Sequence, residues 1–280
     1  MATPACPRRS TSRLKAAPRL DPAPQPRTTT LNDLLVRPFF AALGFLTVWR
    51  LRLGGEQQPK DRGRSLHFFG LVGLMIGGLL VGLDFATRRW WPADVTNGLM
   101  LAVLLLVTGG LHFDGLMDTC DGIFSHRTKE QRLEIMRDSR SGAFGVAGAA
   151  LDVLLWWTCA VDLTGEHHYA AMLVMATTSR AGMVLALALF PYARSTGLGR
   201  DFYDFGSRWS LLPNLLLAAV VGYALLGSSG LFAAAAGLAS AILAGMYLMT
   251  RLPGLTGDCY GAVNEVVQIA TLFTLVPLLS

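Results

Sequence analysis

Charge is what this sequence has least of. Only 15% of its 280 residues are Asp, Glu, Lys or Arg, where a soluble domain carries about a quarter. That deficit argues against an ordinary water-soluble globule and points to lipid as the solvent. Cysteine is scarce too. The four, Cys6, Cys120, Cys159 and Cys259, fall in no metal-knuckle or redox spacing, so neither a disulfide framework nor a zinc site has support. Residues 1–30 are basic and Pro-rich and lack the apolar core of a secretory signal. They read as a disordered cytoplasmic tail. No internal repeat or second domain is visible, and residues 31–280 read as a single integral membrane domain.

Apolar residues and glycine are plentiful. Hydrophobic residues make up 52% of the chain, and the 30 glycines fall mostly inside apolar runs. Membrane helices accept glycine there because it lets backbones approach closely. The net charge is +5. It is concentrated in the tail and in loops between apolar runs, which favours a bilayer partner and argues against nucleic acid.

Seven apolar stretches approach the roughly 20 residues a spanning helix needs: 66–86, 95–111, 142–163, 168–190, 209–226, 231–249 and 262–279. The expected fold is all-α, a polytopic transmembrane helical bundle of about seven spans. Residues 31–49 are apolar but interrupted by Pro38 and Gly44. The tail and the Arg-rich stretch 50–64 both belong in the cytoplasm by the positive-inside rule, so this segment is expected to be interfacial or re-entrant. The loops 112–141, 191–208 and 250–260 then face the cytoplasm. Arg88 and Arg89 fall outside, against the rule.

Chemistry is concentrated between His112 and Gly145. Asp114, Asp118 and Asp121 stand at i, i+4 and i+7, which on a helix places three carboxylates on one face. Like charges in a stripe repel, and a hard divalent cation with oxygen ligands compensates them. Mg²⁺ takes a few carboxylates together with substrate phosphate, so these three are the candidate metal ligands. Downstream, Arg137 and Arg140 offer phosphate-pairing forks. Ser139 and Ser141 precede the next span, where free N–H groups favour an anion. Asp138 reads either as a further ligand or as the group that orients Arg140. His112 reads either as a base or ligand, or as a structural cap at the span end.

The motif from His112 to Gly122, followed by Arg132 to Gly145, resembles the signature of the cobalamin synthase family, the adenosylcobinamide-GDP ribazoletransferases. Arg180, Pro191-Tyr192-Ala193-Arg194 and the stretch Leu255 to Ala262 agree with it. The resemblance runs from about Phe40 to the C-terminus. Cys120, Cys259, Phe113 and Met117 depart from the usual residues, but no carboxylate is lost. The resemblance implies a transferase in which a ribose hydroxyl of α-ribazole, or of its 5′-phosphate, attacks adenosylcobinamide-GDP and releases GMP. It also implies Mg²⁺ dependence and a site on the cytoplasmic face of the inner membrane. A homo-oligomer or other membrane-associated late corrinoid enzymes are the candidate protein partners.

On this reading Asp114, Asp118 and Asp121 hold the metal and, with His112 and Asp138, form the catalytic set. Ser139, Arg140, Arg180, Arg194 and Asp258 contact substrate. Asn264, Glu265 and Gln268 share a helical face and are expected to line a substrate cavity, with helix–helix hydrogen bonding as the alternative. Three other readings compete. A prenyltransferase would carry a second Asp-rich motif, and a CDP-alcohol phosphotransferase would continue Asp114-Gly115 as Asp-Gly-Ala-Arg. An ion-coupled transporter would place its carboxylates at the membrane midplane.

Overall fold

In a computed structural model, residues 32–49 and 58–279 are described. The tail 1–30 and the stretch 50–57 lie outside the described residues. Eleven α-helices follow in chain order. They are α1 (Arg37–Leu46), α2 (Pro59–Ser65), α3 (Phe69–Thr87), α4 (Ala93–Val107), α5 (Leu111–Phe124) and α6 (Lys129–Ile135). Then come α7 (Ala143–Asp162), α8 (Gly165–Leu189), α9 (Leu198–Phe205), α10 (Leu211–Arg251) and α11 (Gly257–Leu279). Among the described residues no strand forms, only an isolated bridge between Tyr192 and Leu255. Helices are what lipid demands, because each satisfies its backbone groups internally.

Five helical stretches are long and apolar enough to cross a membrane: Pro59–Thr87, Ala143–Asp162, Gly165–Leu189, Arg208–Arg251 and Gly257–Leu279. The chain is a multi-pass membrane protein. Two local features relate these five stretches to the seven apolar stretches of the sequence. First, the stretch 95–111 ends as helix at Val107, and Gly109 and Gly110 follow in left-handed conformations (φ 62° and 67°). They turn the chain by 86° into α5, so α4 and α5 pass the same test only as a bent pair.

Second, the stretches 209–226 and 231–249 both belong to α10. Its 41 residues would measure about 60 Å if straight, twice the hydrocarbon thickness of about 30 Å. Instead α10 breaks at Gly227 (φ 59°, ψ −136°), and the backbones of Gly222 and Gly230 come into contact. Both ends return to one face. Near its start Asn214 donates to the Leu66 carbonyl, and at its end the Arg251 carbonyl accepts from Arg132. The two expected stretches are thus the arms of one hairpin.

The core is built around α8, which packs against α3, α10 and α11. Ala171, Met172, Met175 and Ala176 are fully buried there. Small residues and flexible methionines let three helices close on this axis. The N-terminal segment settles as a short apolar helix, Leu34–Leu46, too short to cross. It rests on α2 and α3. Phe45 joins Phe69 and Phe202 in one aromatic cluster, with centroids 4.6–5.9 Å apart, and an Arg62–Asp201 ion pair ties α2 to α9.

The opposite face explains the two arginines that break the charge rule. Arg88 donates through Nε and Nη2 to Asp84 Oδ1 at 3.0 and 2.8 Å, which neutralises it locally. Arg89 lies 4.0 Å over the Trp90 ring, a cation–π contact suited to the interface.

Asn214 makes three hydrogen bonds, one to α3, one to the turn before it and one to the start of its own helix. It accepts from Gly70 N at 2.6 Å and donates to the Leu66 and Ser210 carbonyls at 2.8 and 2.6 Å. Asn214→Ala strands these buried groups and is expected to cost about 1–3 kcal/mol. Thermal unfolding of the detergent-solubilised protein checks this; an unchanged midpoint would show that the α3–α10 contact does not depend on them.

Candidate active site

The site begins with a close crossing of α5 over the start of α11. A Cβ on Gly115 would lie 2.7 Å from the Asp258 carbonyl oxygen, and one on Gly261 would lie 3.0 Å from the His112 carbonyl oxygen. Only hydrogen fits at either position, so the backbones meet. Farther along, Cys120 meets Gly148 near the start of α7. Because α5 touches α7 and α11 near their beginnings, it lies across the ends where both helices start.

This crossing sorts the three carboxylates of the stripe. Asp114 lines a cavity of about 220 Å³ together with His112, Arg194 and Asp258. Asp118 is half-buried beside them. Burial, then the charges of Asp114 and Asp258, push its carboxyl up to about 7, with Arg194 opposing and Asp121 adding a little. Asp121 is engaged elsewhere. Its two oxygens accept from the Gly142 and Gly145 amides at 2.7 and 2.8 Å. Gly142 is the N-cap of α7 and has no side chain of its own to cap with, so Asp121 satisfies those N–H groups from another helix. A Cβ at Gly142 would lie 2.5 Å from Asp121 Oδ1, which accounts for glycine there.

Asp258 takes the place beside Asp114 and Asp118 that the spacing assigned to Asp121. It opens α11, accepts from Arg194 Nη2 at 2.8 Å, and receives a weaker bond from Thr256 at 3.3 Å. Arg194 also reaches the Met136 carbonyl at 3.3 Å, while its Nε has no partner among the described residues. Backbone pairing of Pro191 and Ala193 with Leu255 holds this segment against the start of α11.

His112 is 2% exposed, and neither ring nitrogen has a partner among the described residues. Burial first, and the charge of Arg180 second, hold its imidazole well below its ordinary value, so it is neutral. The downstream loop stands apart from the cavity. Arg140 pairs with Asp138 at 2.8 Å, the arginine largely exposed, and Ser139 is exposed between them. Neither Asp138 nor Arg140 lines the cavity.

The polar residues of the spans lie deeper. Asn264 and Gln268 donate to the two oxygens of Glu265 at 2.9 and 2.6 Å, and none of the three lines the cavity. These bonds form a buried polar cluster within α11. Arg180 is fully buried. Nη1 donates to Ser179 at 3.0 Å, whereas Nε and Nη2 have no partner among the described residues. Asp152 is buried on α7.

Sequence reasoning missed Arg132. Its guanidinium donates to the Ser125 and Arg251 carbonyls at 3.1 and 3.2 Å and staples the end of α5 to the end of α10. It also missed the stacked Tyr192, Tyr203 and Tyr260, whose neighbouring centroids are 6.1 and 6.3 Å apart. No spacing signal links these residues.

The donor set bears on a cation. Asp114, Asp118 and Asp258 are hard oxygen donors, and their mutual repulsion is visible in the raised Asp118. Among the described residues no group of three or more His, Cys, Asp or Glu is close enough to enclose a metal. This set fits an ion that takes one or two carboxylates plus waters and phosphate, as Mg²⁺ does, and does not fit a cage made by protein alone.

Fold and site together define a multi-pass helical membrane protein with an acidic cleft at one face. The profile of the cobalamin-5-phosphate synthase family matches residues 38–276, and the chain belongs to that family of transferases. An adenosylcobinamide-GDP ribazoletransferase of Geotalea daltonii is 36% identical over 242 residues, 86% of this chain and 98% of the relative. Those of Desulfitobacterium hafniense and Klebsiella pneumoniae are each 36% identical, over 87% and 86% of this chain and 98% and 100% of the relatives. No solved structure matches the chain.

The two kinds of aspartate are expected to separate by experiment. Asp121→Ala removes the cap of α7 and is expected to cost about 1–2 kcal/mol of stability. Asp114→Asn is expected to leave the unfolding midpoint unchanged, because Asp114 is exposed and repels its neighbours. Equal midpoints for the two variants would refute this division of roles.

Proposed function

We propose that the protein joins α-ribazole, or its 5′-phosphate, to adenosylcobinamide-GDP and releases GMP, with Mg²⁺ as cofactor. The observation that carries this reading is the meeting of Asp114, Asp118 and Asp258 with Arg194 at the mouth of one cavity. In the reaction, the ribose 3′-oxygen forms a bond to the phosphorus next to cobinamide. The bond from that phosphorus to GMP breaks, GMP leaves with the electron pair, and the hydroxyl proton passes to a base.

Such transfers need positioning and charge neutralisation more than covalent help. A bound Mg²⁺ would neutralise the diphosphate and polarise the leaving GMP; one or two of Asp114, Asp118 and Asp258 would hold it, with waters and phosphate completing its ligands. Arg194 supplies the protein's own positive charge at the mouth, and its free Nε can donate to a phosphate oxygen. Asp114 and Asp258 line the same cavity, and the carboxylate of this cluster that does not hold the cation can take the hydroxyl proton. Arg140 and Ser139, on the exposed loop, are available to the outer phosphate of the nucleotide.

The positive loops belong on the cytoplasmic side, which places this face toward the cytoplasm, and we assign the protein to the inner membrane. A soluble nucleotide-activated substrate then reaches the cleft without crossing lipid.

Purified protein incubated with adenosylcobinamide-GDP, α-ribazole and Mg²⁺ is expected to release GMP in step with the new corrinoid. Folded protein that releases none would end this reading. Asp114→Asn is expected to lower turnover on the order of 100-fold or more. The pH dependence follows from Asp118, whose carboxyl titrates at about 7. Above that value it is ionised and binds a cation; below it the proton competes. The Mg²⁺ concentration for half-maximal rate should therefore rise as the assay moves from about pH 8 to about pH 6. A flat dependence would remove Asp118 from the cation site.

A further inference from the structure

The cavity behind the carboxylates has a lining that phosphate and metal chemistry do not use. Its wall is apolar and largely aromatic. Phe45, Phe69 and Phe202 come from α1, α3 and α9, and Met183 and Leu187 from α8. Tyr192 and Tyr260 stack beside them with ring planes 17° apart. His112 and Tyr260 line it too, both more than nine-tenths buried, with their ring nitrogens and hydroxyl closed off from the accessible space. The lining therefore calls for an occupant with flat apolar faces.

Size and polarity select among the substrates of the proposed reaction, on which this inference rests. A volume of about 220 Å³ lies below the range of about 300–1,000 Å³ for drug-sized ligands, which excludes a corrin macrocycle. A guanine base presents N7, O6 and an amino group at one edge, which this apolar wall would leave unpaired. An acyl chain has no flat face to set against the rings. We propose that this cavity is the acceptor subsite and takes the bicyclic aromatic base of α-ribazole. The base lies between the phenylalanine cluster and the tyrosine stack. The ribose then lies at the mouth, beside Asp114 and Asp258, and the corrinoid stays outside, at the membrane face.

The full-length protein in detergent, titrated calorimetrically with α-ribazole alone, is expected to bind it without the corrinoid substrate. Phe202→Ala is expected to weaken this binding and to raise KM for α-ribazole about tenfold, while KM for adenosylcobinamide-GDP changes less than twofold. Phe45→Leu keeps an apolar side chain, removes only the ring face and should raise the same KM by a smaller factor. It serves as the test if Phe202→Ala does not fold. The proposal is overturned if folded variants shift KM for the corrinoid substrate instead. It is equally overturned if guanosine or a fatty acid displaces α-ribazole from the wild type while α-ribazole affinity ignores both substitutions. Binding of α-ribazole that depends on Phe202, without any GMP release, would support the subsite and reject the reaction.

Discussion

The contact between the backbones of α5 and α11 is what the site depends on. Gly115 against Asp258 and Gly261 against His112 let two helices touch where any side chain would hold them apart. That contact carries Asp114 and Asp118 to Asp258 and Arg194, residues far away along the chain. It also turns His112 into the cavity. Because α5 lies across the bundle ends, its other residues meet the start of α7, and Asp121 becomes the cap that α7 lacks. One crossing thus gives three similar aspartates different surroundings, two beside the cavity and one at the start of α7.

The rest of the bundle holds this crossing in place by the rules of a low-dielectric solvent. Polar groups inside the spans find one another: Asn264 and Gln268 on Glu265, Asn214 on α3, Arg88 on Asp84. The Asn214 pairing also fixes the rotation of α10 against α3, which apolar surface alone would not choose, since lipid and Leu are equally apolar. Arg132 completes the frame at the site face by joining the ends of α5 and α10.

Several features are legible in the sequence because they depend on local spacing. The i, i+4, i+7 placement of Asp114, Asp118 and Asp121 does form one helix. The interrupted segment 31–49 does become a short helix over its described part. The break near Gly227 stands where the apolar runs divide. Other expectations needed contacts that spacing does not encode. The three carboxylates of the stripe are equivalent in sequence, and only the position of Gly142 and Gly145 shows that Asp121 is occupied. Asn264, Glu265 and Gln268 share a face, but that face meets other helices and not the cavity. Arg140 carries the right charge, yet it stands on an exposed loop in a pair with Asp138.

The sequence by itself determined the solvent, the helical class and the helix that carries the acids, because hydropathy and 3.6-residue periodicity are local properties of the chain. Through its motif it also pointed to the family. Tertiary structure alone decided that Asp258 joins Asp114 and Asp118 and that Arg194 sits with them. It alone placed Phe45, Phe69 and Phe202 around one cavity with His112 and Tyr260. The reason is geometric. These residues come from helices far apart in the chain, and their meeting depends on how closely two backbones can approach.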